Sequence, residues 1–275
     1  MVNKTILATA VAITMTATIA TAGVNFGGKS KTFYDVDSND IVMDGTAVQA
    51  KFKSVVTEDL TTFGKIGVKV KADKSIGVQD SFVGLKSKSA GASVQVGRMK
   101  TLVTNLSDSS IDIFNGDSVT LNNTGRKDAM IQGSLTTNGV TLFGQSENGD
   151  GVYQIGASTK IDDVTVFGLL GTDKKDLDTQ VIGLTTTLAD FTISGTRQAD
   201  TTSKGVETVT YSAVASKAIG GGNTVKGGYQ NVVDGDDFWV AEVSHALGKH
   251  AEIFAGMKDT EATEPAFTLG YVVKF

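Results

Sequence analysis

Ala266-Phe-Thr-Leu-Gly-Tyr-Val-Val-Lys-Phe275, the last ten residues of the chain, decide the fold. Phe267, Leu269, Tyr271, Val273 and Phe275 put an apolar side chain at every second position, while Thr268, Gly270, Val272 and Lys274 fill the other face. Alternation of period two over this length predicts a strand whose two faces meet different solvents. A soluble sandwich also alternates, but it does not require an apolar face that runs to a Phe at the final residue.

Working outward from that strand, the same period recurs through the chain. It predicts strands near 24–34, 46–56, 63–72, 79–88, 92–98, 127–135, 140–146, 151–160, 164–170, 178–187, 191–198, 206–217, 224–232, 237–246, 250–258 and 266–275, sixteen in all. One set of connections is tight and built from turn residues, as in Ser89-Ala90-Gly91, Thr136 to Gly139, Ile161 to Asp163, Leu188 to Asp190 and Gly248-Lys249. The other set is mostly longer and acidic: Asp35 to Gly45, Thr172 to Asp176, Ala199 to Gly205, Val233 to Asp236 and Asp259 to Pro265. Short turns at one end and longer loops at the other mark an up-and-down antiparallel barrel of the outer-membrane type. Closure is required, because an open sheet edge in lipid leaves backbone N–H and C=O groups unpaired. The sole proline, Pro265, is expected in the loop before the last strand, where a missing donor costs nothing.

One stretch breaks the pattern. Thr101 to Gly125, TLVTNLSDSSIDIFNGDSVTLNNTG, does not alternate, carries Asp108, Asp112 and Asp117, and is bracketed by Arg98 and Arg126. Long connections inside compact proteins are usually functional or disordered. Folded into the barrel, this one becomes the narrow part of a pore.

Composition agrees with a folded, exported chain. The 275 residues include 32 glycines, one proline and no cysteine, with 40% hydrophobic content. Lys4, the apolar run Ile6 to Ile19 and Ala20-Thr21-Ala22 fit a signal peptide over 1–22 with cleavage before Gly23. Removing 22 residues of 275 leaves 253, with 24 basic and 30 acidic side chains and a net charge of −6. That balance gives no support for nucleic-acid binding. No later segment has the ~18 consecutive apolar residues of a spanning helix.

With these elements in place, the chain resembles the sixteen-stranded general diffusion porins of Gram-negative outer membranes. The resemblance rests on Lys51-Phe52-Lys53, Thr57-Glu58-Asp59-Leu60 and Gly64 near the N-terminus. It continues through Ser81-Phe82-Val83-Gly84-Leu85-Lys86 and Val94-Gln95-Val96-Gly97-Arg98, and ends at Ala266 to Tyr271 and Lys274-Phe275. It implies an inward-folded third loop at 101–125, a terminal Phe275 read by the barrel-assembly machinery, a homotrimer in contact with outer membrane and lipopolysaccharide, and passive diffusion of small hydrophilic solutes and ions. Two departures stand out. Gln49 occupies a position where many members carry a pore-lining arginine, and the second outer loop, Asp73 to Val78, is too short to match the subunit latch of several relatives.

Alternation then assigns faces. Val48, Ala50, Phe52 and Ser54 are expected to face lipid, which leaves Gln49, Lys51 and Lys53 in the lumen; Lys65, Lys69 and Lys71 line it from the third strand, and Lys86 and Lys88 from the fourth. Arg126 follows the parity of Met130 and Gln132. Arg98 shares the parity of Val94 and Val96, so it reaches the constriction only if a bulge at Gly97 turns it inward. Asp108, Asp112 and Asp117 supply the opposite wall, and such opposed charges filter solutes electrostatically.

Two other function classes bear on the same residues. An enzyme of the barrel rim needs a His beside Ser or Asp, and His245 and His250 both flank a tight turn away from any such grouping. No residue pattern fits a cofactor, a metal site or a phosphate loop. The alternative reading is an adhesive or anchoring barrel whose acidic loops, Asp35 to Asp44 and Asp234 to Asp237, hold Ca²⁺ or a partner.

Overall fold

The computed structural model describes residues 23–35, 40–70, 75–115, 119–122, 125–147, 153–172, 178–261 and 263–275. The expected signal peptide, Lys71 and Asp117 lie outside the described residues, as do parts of several outer loops. Sixteen antiparallel strands close into one barrel, each paired with its sequence neighbours and the first with the last. They are β1 (Gly23–Asp35), β2 (Asp40–Val55), β3 (Leu60–Val70), β4 (Ile76–Ser87), β5 (Ala92–Lys100), β6 (Arg126–Thr137), β7 (Val140–Glu147) and β8 (Tyr153–Ile161). The second half is β9 (Val164–Thr172), β10 (Asp178–Leu188), β11 (Phe191–Thr201), β12 (Glu207–Gly220), β13 (Asn223–Val232), β14 (Asp237–Ala246), β15 (Ala251–Thr260) and β16 (Thr263–Lys274).

The faces follow period two. On β16, Phe267, Leu269 and Tyr271 are exposed, whereas Thr268 and Val272 are buried. The exposed apolar row continues around the barrel through Val48, Ile66, Val94, Ile131, Leu142, Ile155, Leu170, Ile182, Tyr211, Tyr229, Val243 and Ile253. The opposite face carries the buried Gln132, Gln145, Gln154, Gln198, Glu242 and Ser244. An apolar exterior around a polar interior is the arrangement that lipid outside and water inside select.

Two-residue turns with both central residues at positive φ, Asn138-Gly139 and Ala189-Asp190, join β6 to β7 and β10 to β11. Their twist matches that of the strands they connect. The seam is made by β1 and β16 in register from Lys29 with Lys274 to Asp35 with Thr268. Beyond it, Gly28 N–H donates to Phe275 O at 2.6 Å and Phe275 N–H to Gly28 O at 3.1 Å.

Three details differ from the sequence reading. The strand β2 begins at Asp40, inside the stretch expected to be outer loop. Pro265 lies within β16 rather than before it; the register there shifts between Lys258 and Thr260 of β15, so proline sits at a bulge where no ladder donor is lost. The connection after β5 opens with a helix, α1 (Leu102–Ser110), that the alternation test did not detect.

Gly64 shows how tightly the exterior is fitted. Its partner Phe52 lays its ring across it, so a Cβ at Gly64 would meet Phe52 Cζ at 2.1 Å and the Phe82 carbonyl oxygen at 2.6 Å. Gly133, on the exterior of β6, would meet only the Ser93 carbonyl oxygen at 3.6 Å. Gly64→Val is therefore expected to destabilise the barrel by about 1–3 kcal/mol through overpacking, and Gly133→Ala to have little effect. Denaturant unfolding of the two variants in detergent checks the difference.

Candidate pore constriction

The segment between β5 and β6 is pinned at its neck. Thr101 N–H donates to Gly125 O at 3.0 Å, and Gly125 N–H donates to Thr104 Oγ1 at 2.6 Å. Thr101 is also the N-cap of α1, its hydroxyl accepting from Thr104 N–H at 3.2 Å. An N-cap satisfies one of the donors that a helix start leaves without an intrahelical partner.

Two further donors at that helix start go to strand side chains. Leu102 N–H donates to Gln145 Oε1 at 2.9 Å and Val103 N–H to Gln154 Oε1 at 3.3 Å. Those glutamines end a relay across β5 to β8: Gln95 Nε2 donates to Gln132 Oε1 (2.8 Å), Gln132 Nε2 to Gln145 Oε1 (3.0 Å) and Gln145 Nε2 to Gln154 Oε1 (2.8 Å). A second anchor holds Asn115, whose N–H donates to Glu242 Oε2 at 2.7 Å and whose Nδ2 donates to Glu252 Oε1 at 2.9 Å. A third holds Asn122, whose N–H donates to Gln198 Oε1 at 2.7 Å while Gln198 Nε2 donates back to the Asn122 carbonyl at 3.2 Å.

Between the anchors the contact is apolar. Leu102, Val103, Ile111, Phe114, Val119 and Leu121 form one buried cluster with Phe167, Leu169, Val181, Val214 and Val240 of β9, β10, β12 and β14. Gly228 on β13 makes room for it, since a Cβ there would come within 2.9 Å of both Val119 and Phe114.

Charged side chains collect elsewhere. Asp80 of β4 is buried and holds two cations, Lys65 Nζ at 2.6 Å and Arg126 Nε at 3.0 Å. Gln49 lies beside this group across Gly67, and Lys51 stands in register with Lys65. Lys100 pairs with Asp108 at the foot of α1. Asp112 is half-buried; burial pushes its carboxyl above the ordinary range and the Asp108 charge adds to the effect, against Lys100, Lys29 and Lys31. Lys69 lies on the buried face of β3, and Lys53 and Lys86 line a recess near the tight turns.

Arg98 is a correction. The register between β5 and β6 does shift next to Gly97, but the extra residue is on β6, where Asp128 and Ala129 oppose Arg98 alone. Met99 keeps the phase of Gln95, accepting from its Nε2 at 3.3 Å, so Arg98 stays on the face of Val94 and Val96. There Arg98 Nε donates to the Val78 carbonyl at 2.9 Å, and Nη1 pairs with Asp128 at 2.6 Å. Pairing at a strand end lowers the cost of an outward arginine, which falls to about 0–1 kcal/mol near the interface.

The re-aiming bulge is on β4 instead. Gly67 opposes Asp80 while Val68 opposes Val78, leaving Gln79 extra. That residue allows Ile76 and Val78 to face outward while Asp80 faces the opposite way. Asp80, Lys100, Lys29 and Lys31 were missed from sequence. Lys29 and Lys31 alternate with Gly28 and Ser30 and were open to the parity argument, whereas Asp80 was hidden by the bulge.

No family model and no curated protein matches the chain. Solved structures do. A loop L8 deletion mutant of OmpT, an outer membrane protein of Vibrio cholerae, superposes with a TM-score of 0.78 at 12% identity over 92% of this chain and 99% of that one. OmpF of Salmonella typhi, in complex with daunomycin, gives 0.74 at 14% over 92% and 97%. An anion-selective porin from Comamonas acidovorans gives 0.74 at 12% over 92% and 100%. At such identities the likeness shows the barrel fold.

Glu242 is the anchor whose loss is most costly, because it is buried and also pairs with Lys226 Nζ at 2.6 Å. Glu242→Ala leaves a nearly buried ammonium and the Asn115 backbone N–H without their acceptor, at a cost of about 3 kcal/mol. The variant barrel is expected to form, with residues 111–122 newly open to protease. Limited proteolysis followed by mass spectrometry reads the cut.

Proposed function

We propose that the chain is an outer-membrane porin, a water-filled channel for passive diffusion of small hydrophilic solutes and ions, with residues 101–125 as its inward-folded third loop. The observation that carries this reading is the set of three anchors. Residues 102–103, 115 and 122 bond side chains of β7 and β8, of β14 and β15, and of β11. A short segment that meets so many strands of a closed barrel on their polar faces does so most simply from within.

The apolar cluster fixes the loop to one wall. Its acids, Asp108 and Asp112, then look toward Lys29, Lys31 and Lys100, while Lys65, Lys51 and Arg126 line the other side of the gap. Opposed charges across a narrow aqueous gap orient dipolar solutes and bias ion passage. Export by the 1–22 signal, assembly through Phe275 and trimerisation belong to the same proposal. The two histidines make other contacts: among the described residues, His245 Nδ1 contacts Asn223 Oδ1 at 2.9 Å and His250 Nδ1 the Lys274 carbonyl at 3.1 Å.

Planar-bilayer recording tests the proposal. Stepwise, ohmic openings are the expected result, and a silent barrel would favour an anchor whose loops bind a partner. In conducting channels, Asp112→Asn with Asp117→Asn is expected to shift selectivity toward anions; unchanged selectivity would remove both acids from the gap. Acidification should produce the same shift in the parent channel. The raised pKa of Asp112 means that it takes up its proton at a higher pH than an ordinary exposed carboxylate. Asp112→Asn should abolish that step of the pH profile.

A further inference from the structure

The inner faces of β2 to β6 near the tight turns form a recess of about 650 Å³. Its charged lining is Lys53, Lys86, Lys88 and Asp59. Asp59 accepts from Ser87 Oγ at 2.8 Å and from Ser89 N–H at 2.5 Å, bonds that hold its carboxyl below the ordinary range and keep it ionised. The recess therefore carries three cations and one anion. The three lysines have no ion-pair partner among the described residues, and Lys51, next along the same face of β2, has none either.

The carboxylates of the polar face are in a different condition. Asp80 is shared by Lys65 and Arg126, Asp108 is held by Lys100, and Glu242 by Lys226. Glu252 is bonded to Asn115, and Asp200 accepts from Thr179 and Gln198. These acids are engaged in attaching the 101–125 segment or in pairing strands. Asp112 aside, the charge left for passing ions to meet on this face is therefore that of the lysines, even though the chain as a whole is acidic.

We propose that this basic recess is an anion-collecting vestibule at the short-turn mouth and that it makes the pore prefer small anions over cations. The inference rests on the channel reading above and adds the solute class. Fixed cations on a low-dielectric wall raise the local concentration of anions. Screening limits their reach to about 10 Å at 0.1 M salt and about 30 Å at 0.01 M, so the preference grows as salt is lowered.

The test is the reversal potential of the purified full-length barrel in a KCl gradient, with Lys53→Gln/Lys86→Gln/Lys88→Gln alongside. Barrel formation in each protein is checked by circular dichroism and heat-modifiable gel mobility. The expected result is chloride preference in the parent, stronger in dilute salt, and loss of most of it in the triple variant with openings retained. A conducting parent that prefers potassium, or a triple variant with unchanged chloride preference, would overturn the vestibule and leave the channel reading standing. A folded but silent parent would overturn the channel reading and the vestibule with it.

Discussion

Closure of β1 on β16 is the constraint on which the rest of the structure depends. An antiparallel sheet with an apolar exterior has no acceptable free edge in lipid, because each unpaired N–H and C=O there costs several kcal/mol. The seam meets that demand with an uninterrupted register and with the terminal residue itself, whose N–H and C=O both pair with Gly28. Sixteen strands bring Gly23, the start of β1, and Phe275 to the same rim, where the turns are tight. A barrel of this size encloses more volume than its own inner side chains fill.

In the proposed channel that surplus volume is what the 101–125 segment occupies, and its chemistry fits such a place. Its apolar side chains need a dry surface, and Phe167, Leu169, Val181, Val214 and Val240 provide one on the side where it lies. Its backbone needs partners, and Gln145, Gln154, Gln198 and Glu242 provide them. Neither set would be useful to a lumen filled only with water. Among the described residues, the strand carboxylates Asp80 and Glu242 are bound into ion pairs, while Lys51, Lys53, Lys86 and Lys88 are left to solvent. An overall negative composition and a locally basic inner surface are compatible, because the charges occupy different surfaces.

Much of this was legible in the sequence, for a physical reason. Period two is imposed by lipid on one face and water on the other, so strand number, order and most boundaries could be read from alternation, and Phe267 to Phe275 read correctly residue by residue. Irregularities escape such a reading, because a single extra residue reverses parity. The bulge expected beside Gly97 was placed by the need to turn Arg98 inward, yet the residue turned is Asp80, through Gln79. The helix α1 was also hidden. Its N-cap threonine and the Leu102–Leu106 pair are weak local signals, and its start is stabilised by glutamines about forty or more residues away in sequence. The structure brings Lys65, Gln49 and Arg126 together around Asp80, a carboxylate that the sequence reading did not anticipate.

Whether residues 101–125 line a conducting path, as proposed, can be measured directly, because the chain contains no cysteine. Asp112→Cys introduces one thiol at the face of the gap. A charged, membrane-impermeant thiol reagent added to a single open channel should then lower the current in discrete, irreversible steps, while the parent protein is unaffected. Complete modification of that thiol with no change in current would contradict the placement of the segment in the pore.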